Sequence, residues 1–228
     1  MTTSLPFANM RLIVTAGPTR EWIDPVRFIT NASSGKTGWE LATVGVARFQ
    51  EVIYIAGQCE AQYRSVEKAT TISVETTADM AKAVLSSICE NSILIMAAAP
   101  ADFTPTKTIN TKIKKNPNQT SYTIEFSATI DILKAVGEIA PNSCIRVGFA
   151  AETENLKQYA LKKLIAKNAH FICGNTVYKS KTGFGETENT IHFFNRSENE
   201  TIIGPLAKSE LAKSILDEIE RQISTHIL

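Results

Sequence analysis

The chain has 228 residues, enough for one α/β domain with a full hydrophobic core. Its 24 basic and 23 acidic residues leave a net charge of +1, which argues against nucleic acid or a membrane surface as a partner. No apolar run approaches the ~20 residues of a membrane span, the N-terminus does not resemble a signal peptide, and the four cysteines and three histidines follow no metal-site spacing. We therefore expect a cytoplasmic protein without a recognisable metal ligand set.

Short apolar runs predict the strands of a parallel sheet. They cover residues 11–17, 51–57, 71–75, 92–102, 145–152 and 170–175. Continuous apolar runs are typical of strands that are buried on both faces of such a sheet. Stretches with helical periodicity alternate with them, over residues 35–49, 76–90, 154–170 and 205–223. This alternation predicts a single α/β domain over residues 1–228, built on a doubly wound, mostly parallel, Rossmann-like sheet.

Two connections are too long to be plain turns. Residues 17–34 contain prolines and serines with little apolar content. Residues 103–128 contain the alternating side chains of Tyr122, Ile124 and Phe126, which follow the turn residues KNPNQ. We predict a β-hairpin arm here that leaves the sheet. Long structured excursions are usually functional, although an edge hairpin that only dimerises is the alternative.

The stretch TNASSGKTGWE, residues 30–40, contains Gly-Lys-Thr, the end of a P-loop. The P-loop pattern fails, because Thr30 stands where a glycine is required and the nearest predicted strand ends near Gly17. The glycine pattern of dinucleotide-binding folds is also missing, which disfavours an NAD(P)-dependent oxidoreductase. Small residues before a helix still expose N–H groups at the positive end of its dipole, and Ser33 or Ser34 could cap it. The stretch therefore predicts either an anion site or an ordinary helix start.

Residues 15–38, TAGPTREWIDPVRFITNASSGKTG, closely resemble the signature of phosphopantothenate–cysteine ligases, also called phosphopantothenoylcysteine synthetases. Further segments match the family in order: AAAPAD (97–102), KIKK (112–115), TIDIL (129–133), VGFAAET (147–153) and FICGN (171–175). The chain departs from the usual residues at Thr37, Pro100 and Ile130. The resemblance covers roughly residues 11–223 and is specific, because several separated motifs occur in the right order. The decarboxylase half that bacteria often fuse upstream is absent, so the resemblance is to a stand-alone ligase.

The resemblance implies a reaction in coenzyme A biosynthesis that joins 4′-phosphopantothenate to L-cysteine. The substrate carboxylate attacks the α-phosphate of a nucleoside triphosphate and expels pyrophosphate, and the cysteine amine then attacks the acyl-nucleotide. Bacterial members typically use CTP and eukaryotic ones ATP. The bacterial-type segments GFAAET and KIKK favour CTP, with ATP as the alternative, and the triphosphate implies Mg²⁺. In the family the hairpin arm crosses to a second subunit, so we expect a homodimer. A separate decarboxylase that acts next in the pathway is a candidate partner.

The resemblance also assigns catalytic residues. Asn31 is the residue that acts on the acyl intermediate, and Lys112 is the active-site lysine. An amide cannot act as a base, but its N–H₂ group can donate to a developing oxyanion. On a strand, Lys112 and Lys114 would share one cationic face suited to phosphates. Arg27 is a candidate either for the substrate phosphate or for pairing with Asp24.

Further binding residues follow from the same motifs. The substrate-binding candidates are Asn31, Arg27, Ala98, Ala99 and Asp102. The nucleotide-binding candidates are Gly17, Ser34, Gly35, Gly38, Met96, Ala97, Ala98, Asp102, Lys112, Ile130, Asp131, Ile132, Leu133, Phe149, Lys163, Lys167 and Asn175. Without the resemblance, sheet packing accounts equally well for the apolar ones, and solvated faces account for the lysines. The alternative function is a non-catalytic regulatory protein that binds nucleotide or phosphopantothenate on the same fold; the presence of both Asn31 and Lys112 argues against it.

Overall fold

The computed structural model describes residues 7–115, 118, 120–176 and 188–225. These residues contain twelve strands: β1 (Arg11–Ala16), β2 (Arg20–Asp24), β3 (Arg27–Thr30), β4 (Glu51–Ala56), β5 (Thr70–Ser73), β6 (Ser92–Met96), β7 (Phe103–Pro105), β8 (Phe126–Ala128), β9 (Ile145–Glu152), β10 (Phe171–Thr176), β11 (Glu188–Asn195) and β12 (Glu200–Ala207). The same residues contain five α-helices: α1 (Lys36–Gly45), α2 (Thr77–Ser87), α3 (Ile132–Ile139), α4 (Leu156–Ala166) and α5 (Lys208–Ser224).

Eight strands form the central sheet in the order β12-β11-β10-β9-β6-β1-β4-β5. The six strands from β10 to β5 in this order are parallel, whereas β11 and β12 are antiparallel. The chain runs outward from β1 in one direction and then in the other, so β1 and β6 flank the switch point of a doubly wound fold. The predicted α/β class and the six predicted strands are confirmed.

Helices cover both faces of this sheet. Helices α1 and α5 pack together over one face, and α2, α3 and α4 cover the other. Neighbouring residues of β1 point to opposite faces, so that Leu12 packs under α1 and α5 while Ile13 packs under α2 and α3. Helix α2 begins after the N-cap residue Thr76, which forms a reciprocal capping box with Asp79. Two separate cores therefore hold the sheet between the helix layers.

Three elements were not predicted from the sequence. Residues 17–34 contain the β2–β3 hairpin, α3 begins within the TIDIL segment at Ile132, and β11 and β12 form an antiparallel extension of the sheet. The helix predicted from residue 205 begins at Lys208, because β12 continues to Ala207.

The predicted arm over 103–128 has the expected base but not the expected strands. Strands β7 and β8 pair antiparallel at that base. Residues 112–115 form no strand, so the prediction that Lys112 and Lys114 share a strand face is wrong. Their backbone instead docks on the tip of the β2–β3 hairpin, where the Ile113 N–H donates to Asp24 Oδ2 at 3.1 Å. Part of the predicted KNPNQ turn lies outside the described residues.

Asp24 holds the arm to the hairpin. Its side chain is fully buried, and its oxygens accept hydrogen bonds from the N–H groups of Val26, Arg27 and Ile113 and from the Arg27 guanidinium. Burial opposes ionisation, but these hydrogen bonds outweigh it and lower the pKa of Asp24.

We expect Asp24→Asn to release the arm, because an amide cannot accept all of these bonds. Limited proteolysis should cleave several-fold faster within residues 106–125. Glu51→Gln, which removes the exposed ion pair with Arg11, is the matched control. Equal cleavage rates in Asp24→Asn and the control would show that Asp24 does not fasten the arm.

A partly buried histidine makes the stability of the fold depend on pH. His170 Nδ1 accepts a hydrogen bond from the Arg146 N–H at 3.1 Å. Burial, followed by the positive charges of Arg146 and Arg196, lowers the pKa of His170 from 6.5 to about 4. Between those values the unfolded chain binds a proton that the folded chain does not, so stability falls as pH falls through this window.

We expect about 2 kcal/mol of unfolding free energy to be lost through His170 between pH 7 and pH 4, after allowance for partial solvent exposure. Urea unfolding across this range measures the loss. His170→Asn keeps an acceptor near Nδ1 but does not titrate, so its stability should change less with pH. The same pH dependence in both proteins would rule out His170 as the source.

Candidate active site

A cleft of about 890 Å³ opens at the carboxyl ends of the central strands. It lies at the switch point between β1 and β6, where doubly wound folds bind their ligands. The loops after these two strands meet at its rim: Pro18 and Ala99 form a parallel bridge, and the Ala99 N–H donates to the Gly17 carbonyl oxygen at 3.0 Å. The loop after β6 lines the cleft, and these bonds hold it to the loop after β1.

Most of the residues predicted from the sequence line this cleft. They are Asn31, Ser34, Gly35, Met96, Ala97, Ala98, Ala99, Asp102, Ile130, Asp131, Ile132, Leu133, Phe149, Lys163, Lys167 and Asn175. Gly17, Arg27, Gly38 and Lys112 are not among its lining residues. The cleft also contains Lys36, Asn189 and Lys208, which the sequence analysis missed. For Lys36 the Gly-Lys-Thr motif was a usable signal, whereas Lys208 lies in no recognised motif.

Asn31 stands on the exposed rim directly after β3. Its Nδ2 atom donates to the carbonyl oxygens of Pro100 at 2.9 Å and of Ala99 at 3.3 Å. Both amide hydrogens are therefore used within the protein, and they hold the AAAPAD loop against the end of β3. To donate to a substrate oxygen, the amide must exchange one of these carbonyls for the substrate.

Two of the predicted glycines pack behind the cleft. Gly17 has a left-handed backbone with φ of 75°, and a Cβ atom there would lie 2.4 Å from the sulfur of Cys59. A Cβ atom on Gly38 would lie 2.6 Å from the Cβ of Ala16, so this glycine lets α1 approach β1 closely. For Gly38 the structure gives a packing role rather than a place on the cleft surface.

The start of α1 differs from the predicted cap. The N-cap is Gly35, and neither Ser33 nor Ser34 makes the side-chain bond that caps a helix. Ser34 Oγ accepts only from the Lys36 N–H, at 3.3 Å. Ser34 Oγ therefore takes up one N–H of the first turn, whereas the N-cap residue itself has no side chain to cap α1.

Two lysines, Lys163 within α4 and Lys167 directly after it, lie on the side of the cleft opposite α1. Lys163 Nζ donates to the Phe149 carbonyl oxygen at 2.6 Å, and Lys167 forms an ion pair with Asp131. Burial lowers the pKa of Lys163; the Glu152 carboxylate opposes this shift. Burial opposes ionisation of Asp131, but the hydrogen bond from Lys167 and the Lys134 N–H lower its pKa. Both predicted cations reach the cleft while bonded to protein groups.

Arg27 and the arm lie at the other end of the β2–β3 hairpin. Arg27 forms an ion pair with Asp24, which was the predicted alternative to binding the substrate phosphate. It also donates to the Ile113 carbonyl oxygen at 3.2 Å. A second cavity of about 330 Å³ separates this hairpin from the arm. Lys112 is exposed at this end. Strand β3 spans four residues, so Lys112 is roughly 10 Å or more from Asn31 along the hairpin.

Acidic and metal-binding side chains do not cluster in the described ranges of the chain. These ranges contain no group of three His, Cys, Asp or Glu side chains that could hold a metal ion. They also contain no helix with the length and hydropathy needed to cross a membrane. The cleft thus combines amides, small residues and lysines rather than a metal centre.

The sequence matches a protein-family model along almost its whole length. That model is described as the DNA/pantothenate metabolism flavoprotein C-terminal domain, and it matches residues 7–223. The chain belongs to this family. It is 41% identical over 217 residues to the coenzyme A biosynthesis bifunctional protein CoaBC of Bacillus subtilis, and 36% identical over 213 residues to that of Escherichia coli K12. These alignments cover 95% and 92% of this chain but 52% of each relative, so the chain spans about half the length of the curated relatives it matches.

Solved structures agree with this membership. The crystal structure of the C-terminal domain of CoaBC is 35% identical, with a TM-score of 0.79 over 97% of this chain and 100% of that one. A DNA/pantothenate metabolism flavoprotein from Streptococcus pneumoniae is 22% identical, with a TM-score of 0.78 over 93% and 99% of the two chains. At that identity the second likeness shows the fold alone. The family resemblance and the Rossmann-like fold inferred from the sequence are confirmed.

Proposed function

We propose that the chain is a phosphopantothenate–cysteine ligase domain, acting in the cytoplasm in coenzyme A biosynthesis. The observation that carries this proposal is that separated motifs of the ligase resemblance converge on one cleft. Asn31, the AAAPAD loop, Asp131, Phe149 and Lys163 come from five parts of the chain and line the same space. The family relatives named above are coenzyme A biosynthesis proteins, which supports the same pathway.

In the first step, the nucleotide activates the carboxylate of 4′-phosphopantothenate. A carboxylate carbon is a poor electrophile for an amine at neutral pH, so a carboxylate oxygen first attacks the α-phosphate, the bond to the β-phosphate breaks, and pyrophosphate leaves. Small side chains at Ala98 and Ala99 let the reactants approach the backbone at the switch point. Lys163 and Lys167 supply positive charge along one wall for a triphosphate. We propose CTP as the nucleotide, with ATP as the alternative.

In the second step, the cysteine amine attacks the acyl-nucleotide and expels the nucleoside monophosphate. The acyl oxygen gains negative charge as the amine adds to the carbonyl carbon. Asn31 is the proposed donor to this oxygen, because its amide stands at the rim beside the AAAPAD loop. Holding the two reactants in one cleft would supply much of the remaining acceleration.

Lys112 is proposed to act in the cleft of a second copy of the chain. It is exposed at the far end of the β2–β3 hairpin from Asn31 and does not line its own cleft. The arm also exposes large apolar side chains, since Phe103 is 56% and Tyr122 is 52% accessible. Apolar and aromatic surface of this kind suits a protein interface. A homodimer with shared sites accounts for both features.

Mg²⁺ is proposed to arrive with the triphosphate rather than to reside in the protein. The described residues offer no cluster of ligands for a resident ion, and Mg²⁺ commonly binds through phosphates, waters and one or two carboxylates. Asp131 is already paired with Lys167, so Asp102 is the cleft carboxylate that could hold the ion through water. When bound, Mg²⁺ would neutralise phosphate charge.

The direct test is pyrophosphate release by the purified protein with Mg²⁺ and 4′-phosphopantothenate, with CTP or ATP, and with or without cysteine. We expect CTP-dependent release, with amide product only when cysteine is added. Release with ATP alone would keep the reaction and overturn the choice of nucleotide. No release with either nucleotide, from folded protein, would favour the regulatory binding protein instead.

A further inference from the structure

Two lysines outside the predicted set stand together on the α1 side of the cleft. Lys36 is the first residue of α1, Lys208 is the first residue of α5, and both line the cleft. Because α1 and α5 pack against each other, their N-termini open into the same corner. We refer to Gly35, Lys36, Asn189 and Lys208 as the α1–α5 corner.

Lys208 reaches the cleft without a partner. The residue is only 6% exposed, and Nζ makes no hydrogen bond or ion pair within the described part of the chain. Every fully buried side-chain nitrogen and oxygen among the described residues has a hydrogen-bond partner, so the small exposed area of Lys208 includes Nζ, at the cleft that this residue lines. Burial of the side chain, followed by the charge of Lys36, lowers the pKa of this ammonium, while the carboxylates of Glu40 and Glu60 oppose the shift from beyond ion-pair distance. An anion in the cleft would supply the missing partner.

The helix starts in this corner are open to the same anion. The N-caps of α1 and α5 are Gly35 and Ala207, and neither residue caps its helix with a side chain. In α1 the Lys36 N–H is bonded to Ser34 Oγ. Helix α3, which also begins at the cleft, is capped by the carboxylate of Asp131. Uncapped N-termini present N–H groups and the positive end of the helix dipole. Two such ends and two lysines therefore converge on one corner.

The lysines on the opposite wall are less available. Lys163 is bonded to the Phe149 carbonyl oxygen and Lys167 to Asp131, whereas Lys208 has no such bond. We propose that Lys208, together with Lys36 and the start of α1, holds a phosphate group of a reactant. The proposal rests on the proposed function, in which the nucleotide carries a triphosphate and the second substrate carries a 4′-phosphate. Lysine binds phosphate as a compact point charge.

The test compares Lys208→Met with wild-type protein in binding titrations of the full chain. The ligands are inorganic pyrophosphate, CTP, CMP, 4′-phosphopantothenate and pantothenate. Each is added alone, so its binding is measured without catalytic turnover. We expect roughly 10- to 100-fold weaker binding of the phosphate-bearing ligand that reaches the corner, as for loss of a hydrogen bond to a charged group. Lys213→Met, on the exposed face of the same helix, is the matched control.

The ligands distinguish the two sources of phosphate. Weaker binding of CTP and pyrophosphate but not CMP would support a site for the β- and γ-phosphates. Weaker binding of phosphopantothenate but not pantothenate would support a site for the 4′-phosphate. In either case Lys208→Arg should retain most of the affinity, because it keeps the positive charge.

Two results would overturn the proposed phosphate site. One is an affinity within about twofold of wild type for every ligand. The other is an equal loss for all five ligands together with a lower melting temperature, since that pattern indicates a damaged fold. Because binding is measured directly, a protein that binds phosphate through Lys208 but shows no ligase turnover would keep this site and overturn only the proposed function.

Discussion

Asn31→Asp is expected to release pyrophosphate while failing to form the amide. The carboxylate cannot donate to the developing oxyanion in the second step, and its charge would repel that oxygen. Amide formation should fall by roughly 10²- to 10³-fold, the usual cost of losing one oxyanion donor. In the first turnover, pyrophosphate release should fall much less, because it depends on groups around the α-phosphate. The two products are measured separately in a single-turnover reaction with the protein in excess over CTP, pyrophosphate by a coupled assay and amide by chromatography.

The structure adds a second possible outcome for this variant. Asn31 also holds the AAAPAD loop through the carbonyl oxygens of Ala99 and Pro100, and Asp cannot make those bonds. If pyrophosphate release and amide formation fall equally, Asn31 positions the loop instead of stabilising the oxyanion. Asn91→Asp makes the same chemical change at the amino end of β6, away from the cleft, and both activities should remain unchanged.

The central sheet could be predicted because its strands are buried on both faces. In the run RLIVTA the apolar residues 12–14 are contiguous, so a continuous apolar pattern indicates β1 directly. The β2–β3 hairpin could not be predicted, because charged residues that find partners only in the folded protein interrupt its apolar pattern. Glu21 is buried within β2 and accepts from the Thr77 N–H at 2.8 Å, and Arg20 lies 4.4 Å from the Phe28 ring centroid. Such charged residues interrupt the apolar pattern by which a buried strand is recognised, and their partners are known only from the fold.

Only those residues of the candidate site that lie in recognisable family motifs could be predicted from the sequence. The order of the family segments located Asn31, Asp102 and Lys163, and the fold brings them to one cleft. Lys208 was missed because its importance depends on burial beside Lys36, some 170 residues earlier in the chain. The strand predicted for KIKK failed for a related reason. Its alternating pattern is real, but the backbone of Ile113 bonds to Asp24 and Arg27 instead of to a neighbouring strand.

A mixed dimer of Asn31→Asp and Lys112→Met is expected to regain activity that neither variant has alone. If each cleft takes Lys112 from the partner, one cleft of the mixed dimer carries both substitutions and the other carries neither. The purified mixed dimer should then make amide at about half the wild-type rate. Each homodimer should be slower by roughly 10²-fold or more, since each lacks a group that acts on the developing charge in both clefts.

Two affinity tags on co-expressed chains allow the mixed dimer to be purified and assayed for amide product. The control uses Lys115→Met in place of Lys112→Met, because Lys115 is a neighbouring exposed lysine of the same segment. The Lys115→Met homodimer should remain active. An inactive mixed dimer would place Asn31 and Lys112 in the same chain's site, which would require the arm to leave its dock on Asp24 and Arg27 and fold over its own cleft. A monomer in solution would lead to the same conclusion. Recovery would show that Lys112 of one chain acts beside Asn31 of the other. The separation of roughly 10 Å or more between these residues within one chain would then need no movement of the arm.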